Sequence, residues 1–270
     1  MTALITRARP KSGLSKRLLN GRASASLISL AVAGVLWEIV GQAAKVPFFP
    51  PLTAVLVELW SMITRGEIFG NLATSLANLV LGFGLSLIVG IVVGTAMGRY
   101  RRVNAALGIY VYALLTAPSL VFAPIFFSIL GAGQGSIVAV IFMYSAFIMI
   151  INTASAVENV NPSLVEMGRS YGANEWQILT RIILPAAAPM IFAGVRLGMG
   201  RAVTGMINGE MFIAVVGLGR MVTVAGKSFD GAAVLAILIV IITVALAAIA
   251  LVQFVDRRIT SWVPNTTKES

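Results

Sequence analysis

The sequence predicts an all-α membrane protein with six transmembrane helices. Its 270 residues are 58% hydrophobic and only 11% charged, whereas soluble domains average about 45 to 50% apolar and 25% charged residues. Because a membrane-spanning helix needs about 20 mostly apolar residues, the long apolar runs can be counted as spans. There are six such runs, at residues 24–44, 76–98, 105–130, 135–155, 187–214 and 232–254.

The first apolar run follows a basic segment, as the apolar core of a signal peptide does. Five more spans follow it and no clear cleavage site of small residues closes it, so we interpret it as a retained first span. This gives a basic cytoplasmic N-terminal tail over 1–23, a six-helix transmembrane domain over 24–255 and a cytoplasmic C-terminal tail over 256–270.

The net charge of +10 alone would suit a nucleic-acid-binding protein. The positions of the charged residues along the chain favour a different interpretation. Fourteen of the twenty basic residues lie before span 1, after span 2, after span 4 or after span 6. By the positive-inside rule these segments, and therefore both termini, are cytoplasmic. The basic residues thus indicate topology, with contacts to anionic lipid as a lesser role and no nucleic-acid partner.

Small residues recur four apart along span 2 and at helical spacing along span 5. Such stripes let the backbones of membrane helices approach closely, so we expect tight packing within one bundle, with a subunit interface as a second reading. The stripes are Gly82, Ser86, Gly90, Gly94 and Gly98, and Gly194, Gly198, Ala202, Gly205 and Gly209.

The segment 45–75 is too charged to span a membrane, and Thr53 is a candidate cap for a short helix over 54–64. Span 3 carries Pro118 and Pro124, which remove backbone donors and interrupt a helix. Irregular backbone at membrane depth lies buried in protein or along a water-filled path. Pro118, Ser119 and Pro124 are therefore candidates for lining a path, although a purely structural kink fits the sequence equally well.

Span 5 contains two further path candidates, Arg201 and Glu210. An unpaired charge midway along a span costs on the order of 3 kcal/mol or more, so we expect Arg201 to face the bundle interior. It would act either as the structural partner of a carboxylate such as Glu210 or as a cation near a solute path. Arg196, closer to the cytoplasmic end, could reach the interface by extending its side chain.

Two residue types that many enzymes use in catalysis are missing. The chain has no cysteine and no histidine, which excludes thiol nucleophiles, zinc ligation and histidine acid–base chemistry. The "AGKS" at 225–228 resembles the end of a phosphate-binding loop, but position 221, where that loop needs glycine, is Met221. We predict no catalytic residue, no metal site and no cofactor bound by this chain.

The loop at 157–186, between spans 4 and 5, carries the most informative pattern. Ser163 and Glu166 fit a helix-starting S-x-x-E box after Pro162, and Gly172 suits a left-handed stop. Asn174 and Gln177 fit a second cap before an amphipathic helix that leads back to the membrane. A generic loop lying on lipid is the simpler alternative.

The spacing from Glu166 through Gly172 to Ile182, Leu184 and Pro185 fits E-A-A-x3-G-x9-I-x-L-P, with Met167 and Gly168 in place of the two alanines. This resembles the cytoplasmic EAA loop of permease subunits of bacterial ATP-binding-cassette (ABC) importers. The stretches "FFPPLTAVL", "GAGQGS" and "GEMFIAVVGLG" are similar to the nitrate, sulfonate and taurine branch of that family.

The resemblance implies the type I ABC importer permease fold in the bacterial inner membrane. It implies two cytoplasmic ATPase subunits that bind ATP and Mg, an extracytoplasmic solute-binding protein and a second permease copy, most simply an identical one. It also implies that the loop between spans 4 and 5 docks in a cleft of the ATPase. The coupling residues it indicates are Ser163, Leu164, Glu166, Gly168, Arg169, Tyr171, Gly172 and Ala173.

Two other classes of protein remain as alternatives at this point. A stand-alone secondary transporter or channel would use ionisable groups within the spans, of which Glu38, Arg196, Arg201 and Glu210 are the candidates. An intramembrane enzyme would need a nucleophile with a base, or paired carboxylates, and neither arrangement is visible. The branch resembled here implies a small organic or inorganic anion as the solute.

Overall fold

A computed structural model describes residues 13–44, 49–213 and 215–260, and they are almost entirely helical. A 3-10 turn at Ser119–Phe122 precedes α5, and a π-helical turn at Leu179–Ile183 joins α8 to α9. The helices are α1 Gly13–Ala44, α2 Leu52–Thr64, α3 Glu67–Arg99, α4 Arg101–Thr116, α5 Ala123–Leu130, α6 Gln134–Glu158, α7 Pro162–Ser170, α8 Glu175–Ile178, α9 Leu184–Ile213, α10 Gly217–Lys227 and α11 Gly231–Ile259.

Within those residues, four helices are long and apolar enough to cross a membrane. They are α3, α6, α11 and the continuous helical segment Glu175–Ile213. A fifth span is possible if α4 and the segment Ser119–Leu130, bent by 96° to each other, count as one broken span. The apolar part of α1, Ile28–Ala44, is shorter than a span, so the count of six stays a prediction. The predicted tails lie largely outside the described residues.

Helix α6 lies between α3 and α9, and the glycine stripe of α3 faces it. A Cβ atom on Gly94 would come within 2.6 Å of the Ile150 carbonyl oxygen, and one on Gly90 within 2.7 Å of Met149. Both distances are shorter than van der Waals contact, so only glycine permits this approach. The sequence interpretation of the stripe as a packing surface within one bundle is confirmed.

The stripe of α9 packs on the opposite side of α6 in the same way. A Cβ atom on Gly194 would come within 2.5 Å of Asn152, and one on Gly198 within 2.6 Å of Met149. The side chain of Met149 therefore lies between a glycine of each neighbouring helix. This arrangement makes α3, α6 and α9 one closely packed unit.

A short helix does lie within the charged segment 45–75, as Leu52–Thr64, but its start is not capped by Thr53. Glu38 of α1 accepts hydrogen bonds from both the Thr53 amide, at 3.0 Å, and the Thr53 hydroxyl, at 2.9 Å. The longer carboxylate side chain reaches across from α1 and takes the role that the sequence suggested for Thr53. Helix α2 also packs against α11, and Val55 shares a buried cluster with Ile237 of α11 and Leu218 of α10.

Candidate functional site

The loop predicted over 157–186 contains α7, the turn after it, and α8 with its π-helical continuation. Helix α7 begins at Pro162, and the Asn161 side-chain oxygen accepts a hydrogen bond from the Ser163 amide at 3.0 Å. The predicted box with Ser163 as cap and Glu166 reaching back to it is therefore wrong. Asn161 takes the cap position because Pro162, which lacks an N–H group, fits the first turn of the helix.

Helix α7 ends in the left-handed turn that Gly172 predicted. Gly172 has a φ of 79°, its amide donates to the Arg169 carbonyl at 2.9 Å, and the Ala173 amide donates to the Gly168 carbonyl at 3.0 Å. These two bonds are the Schellman pattern, which satisfies the last carbonyl groups of a helix. The direction in which the chain leaves α7 is thereby fixed.

The next helix starts with the capping box predicted at Asn174 and Gln177, and this prediction is confirmed. The Asn174 side chain accepts from the Gln177 amide at 2.8 Å, and the Gln177 side chain accepts from the Asn174 amide at 2.9 Å. Helix α8 then runs through the π-helical turn into α9 without a break. The loop is thus joined to a transmembrane helix by continuous helical backbone.

The underside of α7 is held against that segment by small and apolar residues. Gly168 is buried, and a Cβ atom at this position would overlap the Cδ1 atom of Ile182. Val165 is partly buried and packs on the core cluster that contains Ile178. Gly168, one of the two departures from the alanines of the family pattern, therefore permits close contact between α7 and the segment leading to α9.

An acidic side chain ties the loop to a second transmembrane helix. Glu175, the first residue of α8, forms ion pairs with Arg99 in the last turn of α3 and with Arg169 of α7, the latter at 3.0 Å. All three groups are at least partly exposed, so the contribution to global stability is small. What the two ion pairs fix is the position of α7 relative to α3.

The outward face of the loop carries large apolar side chains with no cover in the described part of the chain. The exposed fractions are 38% for Leu164, 50% for Met167, 86% for Tyr171 and 71% for Trp176. Ser163 and Glu166 are also exposed, and the Glu166 side chain has no hydrogen-bond partner among the described residues. A rigid polar loop that presents such a patch has the character of a protein-docking surface.

The path candidates of span 3 lie at a sharp bend. Helix α4 ends at Thr116, and the chain turns at Ala117 and Pro118 before Ser119. Pro118 lies at the break, whereas Pro124 lies in the first turn of α5, where a missing N–H group is tolerated. The predicted interruption of span 3 is confirmed, and its cause is Pro118 rather than Pro124.

Arg201 and Glu210 do not pair with each other. They are nine residues apart on one helix, which places them about half a turn apart on its circumference. Glu210 is fully buried, while Arg201 is exposed. The predicted structural partnership of these two residues is therefore wrong. Arg196 instead forms an ion pair with Asp256 of α11 at 2.9 Å.

Glu210 joins three helices through neutral partners. Its carboxylate accepts from the Ser75 hydroxyl at 2.8 Å, the Asn78 amide at 3.2 Å and the Gly219 backbone amide at 3.0 Å. The carboxylate also lies directly against Gly217, where any side chain would overlap it. The sequence reasoning missed Ser75 and Asn78, although polar residues inside an apolar helix were the available signal.

The described residues form an almost entirely helical, multi-pass membrane protein in which a rigid loop leads into a long apolar helix. The chain belongs to the family of binding-protein-dependent transport system inner membrane components, whose sequence profile matches residues 86–261. It is thus an ABC transporter permease of the importer class, as the loop pattern indicated.

Individual relatives differ in what they carry. A probable ABC transporter permease of Brucella melitensis is 30% identical over 88% of this chain and 96% of its own length. The taurine transport permease of Escherichia coli is 28% identical over 90% and 91%. The riboflavin transport permease of Chloroflexus aurantiacus is 28% identical over 87% and 88%.

The fold is also found among solved structures. The inward-facing methionine ABC transporter contains a chain that superposes with a TM-score of 0.56 at 19% identity, covering 77% of this chain and 99% of that one. An identity this low shows a common fold only.

Proposed function

We propose that this chain is the membrane-spanning permease subunit of an ATP-driven importer, and that residues 157–186 dock on its cytoplasmic ATPase subunits. The observation that carries the proposal is the combination of rigidity and exposure in α7. Two caps and a Schellman turn fix the helix ends, and yet Tyr171 and Trp176 stay open to solvent. Aromatic side chains exposed on a fixed backbone are typical anchors of protein interfaces.

The loop has the connections needed to move the spans. A displacement of α7 would pass to α9 through the continuous helix from Glu175, and to α3 through the ion pair of Glu175 with Arg99. Those two helices enclose α6 in the closely packed unit. Because packed elements of this kind shift as bodies rather than deform, docking of the ATPase can be coupled to rearrangement of the bundle.

The proposed complex contains two ATPase subunits, which bind ATP and Mg, and two permease copies, most simply identical. An extracytoplasmic binding protein delivers the solute. The permease lies in the bacterial inner membrane with six spans and cytoplasmic termini. This arrangement leaves ATP hydrolysis to the partner subunits and makes the permease non-catalytic.

The solute we propose is a small organic or inorganic anion. Among the relatives, the taurine permease carries a sulfonate, whereas the riboflavin permease carries a larger heterocycle, so family membership alone does not fix the solute. The positive charge of Arg201 within span 5 favours the anion.

The docking proposal is tested with Tyr171→Ser. Its control is Phe69→Ser, which removes another exposed aromatic ring, from the first turn of α3 outside the loop. We expect Tyr171→Ser to reduce co-purification of the ATPase by at least about tenfold, and Phe69→Ser to leave it unchanged. Equal recovery of the ATPase with both variants, or solute uptake by the permease alone, would contradict the proposal.

A further inference from the structure

Arg201 occupies a position for which the rest of the chain provides no partner. It lies about 26 Å along α9 from Leu184 and about 18 Å from Ile213, at 1.5 Å per residue. Its side chain is exposed and makes no hydrogen bond or ion pair with any residue in the ranges that the structure describes. A guanidinium group at this depth is costly in lipid, so the face that carries it borders water or another polar group.

Arg201 is part of a short polar stretch on one face of α9. Thr204 is exposed and Asn208 is half-buried, and the spacing of three and four residues places both on the side of Arg201. Toward the cytoplasmic end the same face continues with apolar residues, including Leu197. The glycine stripe that contacts α6 borders this face, and Asn208 itself reaches the Tyr144 hydroxyl of α6. The polar character is therefore confined to the middle and outer part of the open face.

The hydrogen-bonding groups of this stretch are predominantly donors. The Asn208 side-chain amide donates to the Tyr144 hydroxyl at 2.9 Å, and the Thr204 hydroxyl donates to the Gly200 carbonyl at 3.1 Å. The hydroxyl hydrogen of Tyr144 and the five N–H groups of Arg201 have no acceptor among the described residues. Glu210, the carboxylate of the same helix, is turned away and buried. Positive charge and unused donors together suit an oxyanion.

We propose that Arg201, Thr204, Asn208 and Tyr144 line a water-filled part of the solute path, and that Arg201 binds the anionic group of the solute. The planar guanidinium group presents paired N–H donors that match two oxygens of a carboxylate or sulfonate. Asn208, hydrogen-bonded to Tyr144 of α6, lies about 10 Å further along α9 than Arg201, where an anion would meet these donors before reaching the charge. This inference rests on the proposed importer function and assigns the site that selects its solute.

The absence of cysteine from the chain makes the test direct, because a single introduced cysteine is the only thiol of the permease. We suggest Thr204→Cys in the permease–ATPase complex in lipid nanodiscs. Its reaction rates would be measured with sulfonatoethyl methanethiosulfonate, which is anionic, and trimethylammonioethyl methanethiosulfonate, which is cationic. Each rate is divided by the rate of the same reagent with free cysteine. Leu246→Cys, on the exposed apolar face of α11, is the control for a lipid-facing position.

We expect Thr204→Cys to react with both reagents, with the normalised rate ratio favouring the anion, and Leu246→Cys to react with neither. Adding Arg201→Gln should lower the anion-to-cation ratio at least about fivefold, and Arg201→Lys should largely retain it. No reaction at Thr204→Cys would overturn the water-filled path, and a ratio that does not change with Arg201→Gln would overturn the anion site.

Two further measurements keep the outcomes distinct. If Thr204→Cys does not assemble, Asn208→Cys, about one turn away in the same polar stretch, provides the same comparison of reagents. ATPase co-purification is recorded for each preparation. If the ATPase does not co-purify with an unlabelled permease whose residues 157–186 are intact, the proposed function is contradicted. If the complex forms normally and the anion-to-cation rate ratio does not change with Arg201→Gln, only the anion site is contradicted.

Discussion

Arg99, in the last turn of α3, forms an ion pair with Glu175, the first residue of α8, across 76 positions of sequence. Glu175 also binds Arg169 of α7. One carboxylate thereby connects a transmembrane helix, the helix of the proposed docking loop and the segment that leads into α9. This connection gives the loop a fixed orientation without a large contribution to global stability.

The first prediction concerns this connection. Glu175→Gln removes both ion pairs but keeps the size of the side chain, so α7 should become more mobile relative to α3. We expect faster hydrogen exchange of the amides between Tyr171 and Gln177, and a lower ratio of solute transported to ATP hydrolysed. Glu158→Gln, at a nearby exposed glutamate without an ion pair among the described residues, should change neither quantity. Unchanged exchange in Glu175→Gln would mean that the ion pairs do not orient the loop.

The second prediction concerns the turn after α7. Gly172 has a φ of 79°, which a β-branched residue adopts only with strain of about 1 kcal/mol or more. Gly172→Val should therefore leave the permease in the membrane but weaken ATPase docking and reduce solute-stimulated ATP hydrolysis. Gly172→Asn, which tolerates this conformation better, should retain most of both activities. The test is co-purification together with hydrolysis in reconstituted vesicles, and wild-type values for Gly172→Val would contradict it.

The third prediction concerns the packing of α3 on α6. Gly94→Ala places a Cβ atom against the Ile150 backbone carbonyl, and overpacking of this kind costs about 1 to 3 kcal/mol. We expect a lower unfolding temperature for the purified permease. Gly84→Ala, on the same helix with open space around it, is the matched control and should be neutral or slightly stabilising. A decrease in both variants would show that helix packing is not the cause.

The fourth prediction concerns Glu210. Glu210→Ala leaves the buried Asn78 amide and the Gly219 N–H group without their acceptor, at about 1 to 3 kcal/mol for each group. The unfolding temperature should fall markedly. Glu210→Gln should be milder, because its carbonyl still accepts and Asn78 can turn its unpartnered oxygen toward the new amide. If Glu210→Ala unfolds at the wild-type temperature, the network is not structural.

Several parts of the site could be predicted because their backbone conformation depends only on residues a few positions apart in the sequence. The Asn174 and Gln177 capping box, the left-handed Gly172 and the interruption at Pro118 each depend on local backbone chemistry. The glycine stripes were also visible, since their spacing follows from the helix period. Even so, one local detail was missed: the cap of α7 is Asn161 rather than Ser163, because two neighbouring polar residues competed for one position.

By itself, then, the sequence determined the all-helical membrane class, the local geometry of the loop and the surfaces by which helices approach one another. The tertiary structure decided which distant groups meet: Arg99 with Glu175, Ser75 with Glu210, and Arg196 with Asp256. It also left Arg201 exposed instead of pairing it with Glu210. The physical reason is the separation along the chain between bonded groups, because the backbone groups of a cap or turn bond to residues only a few positions away. The partner of a buried or intramembrane polar group depends instead on how whole helices pack.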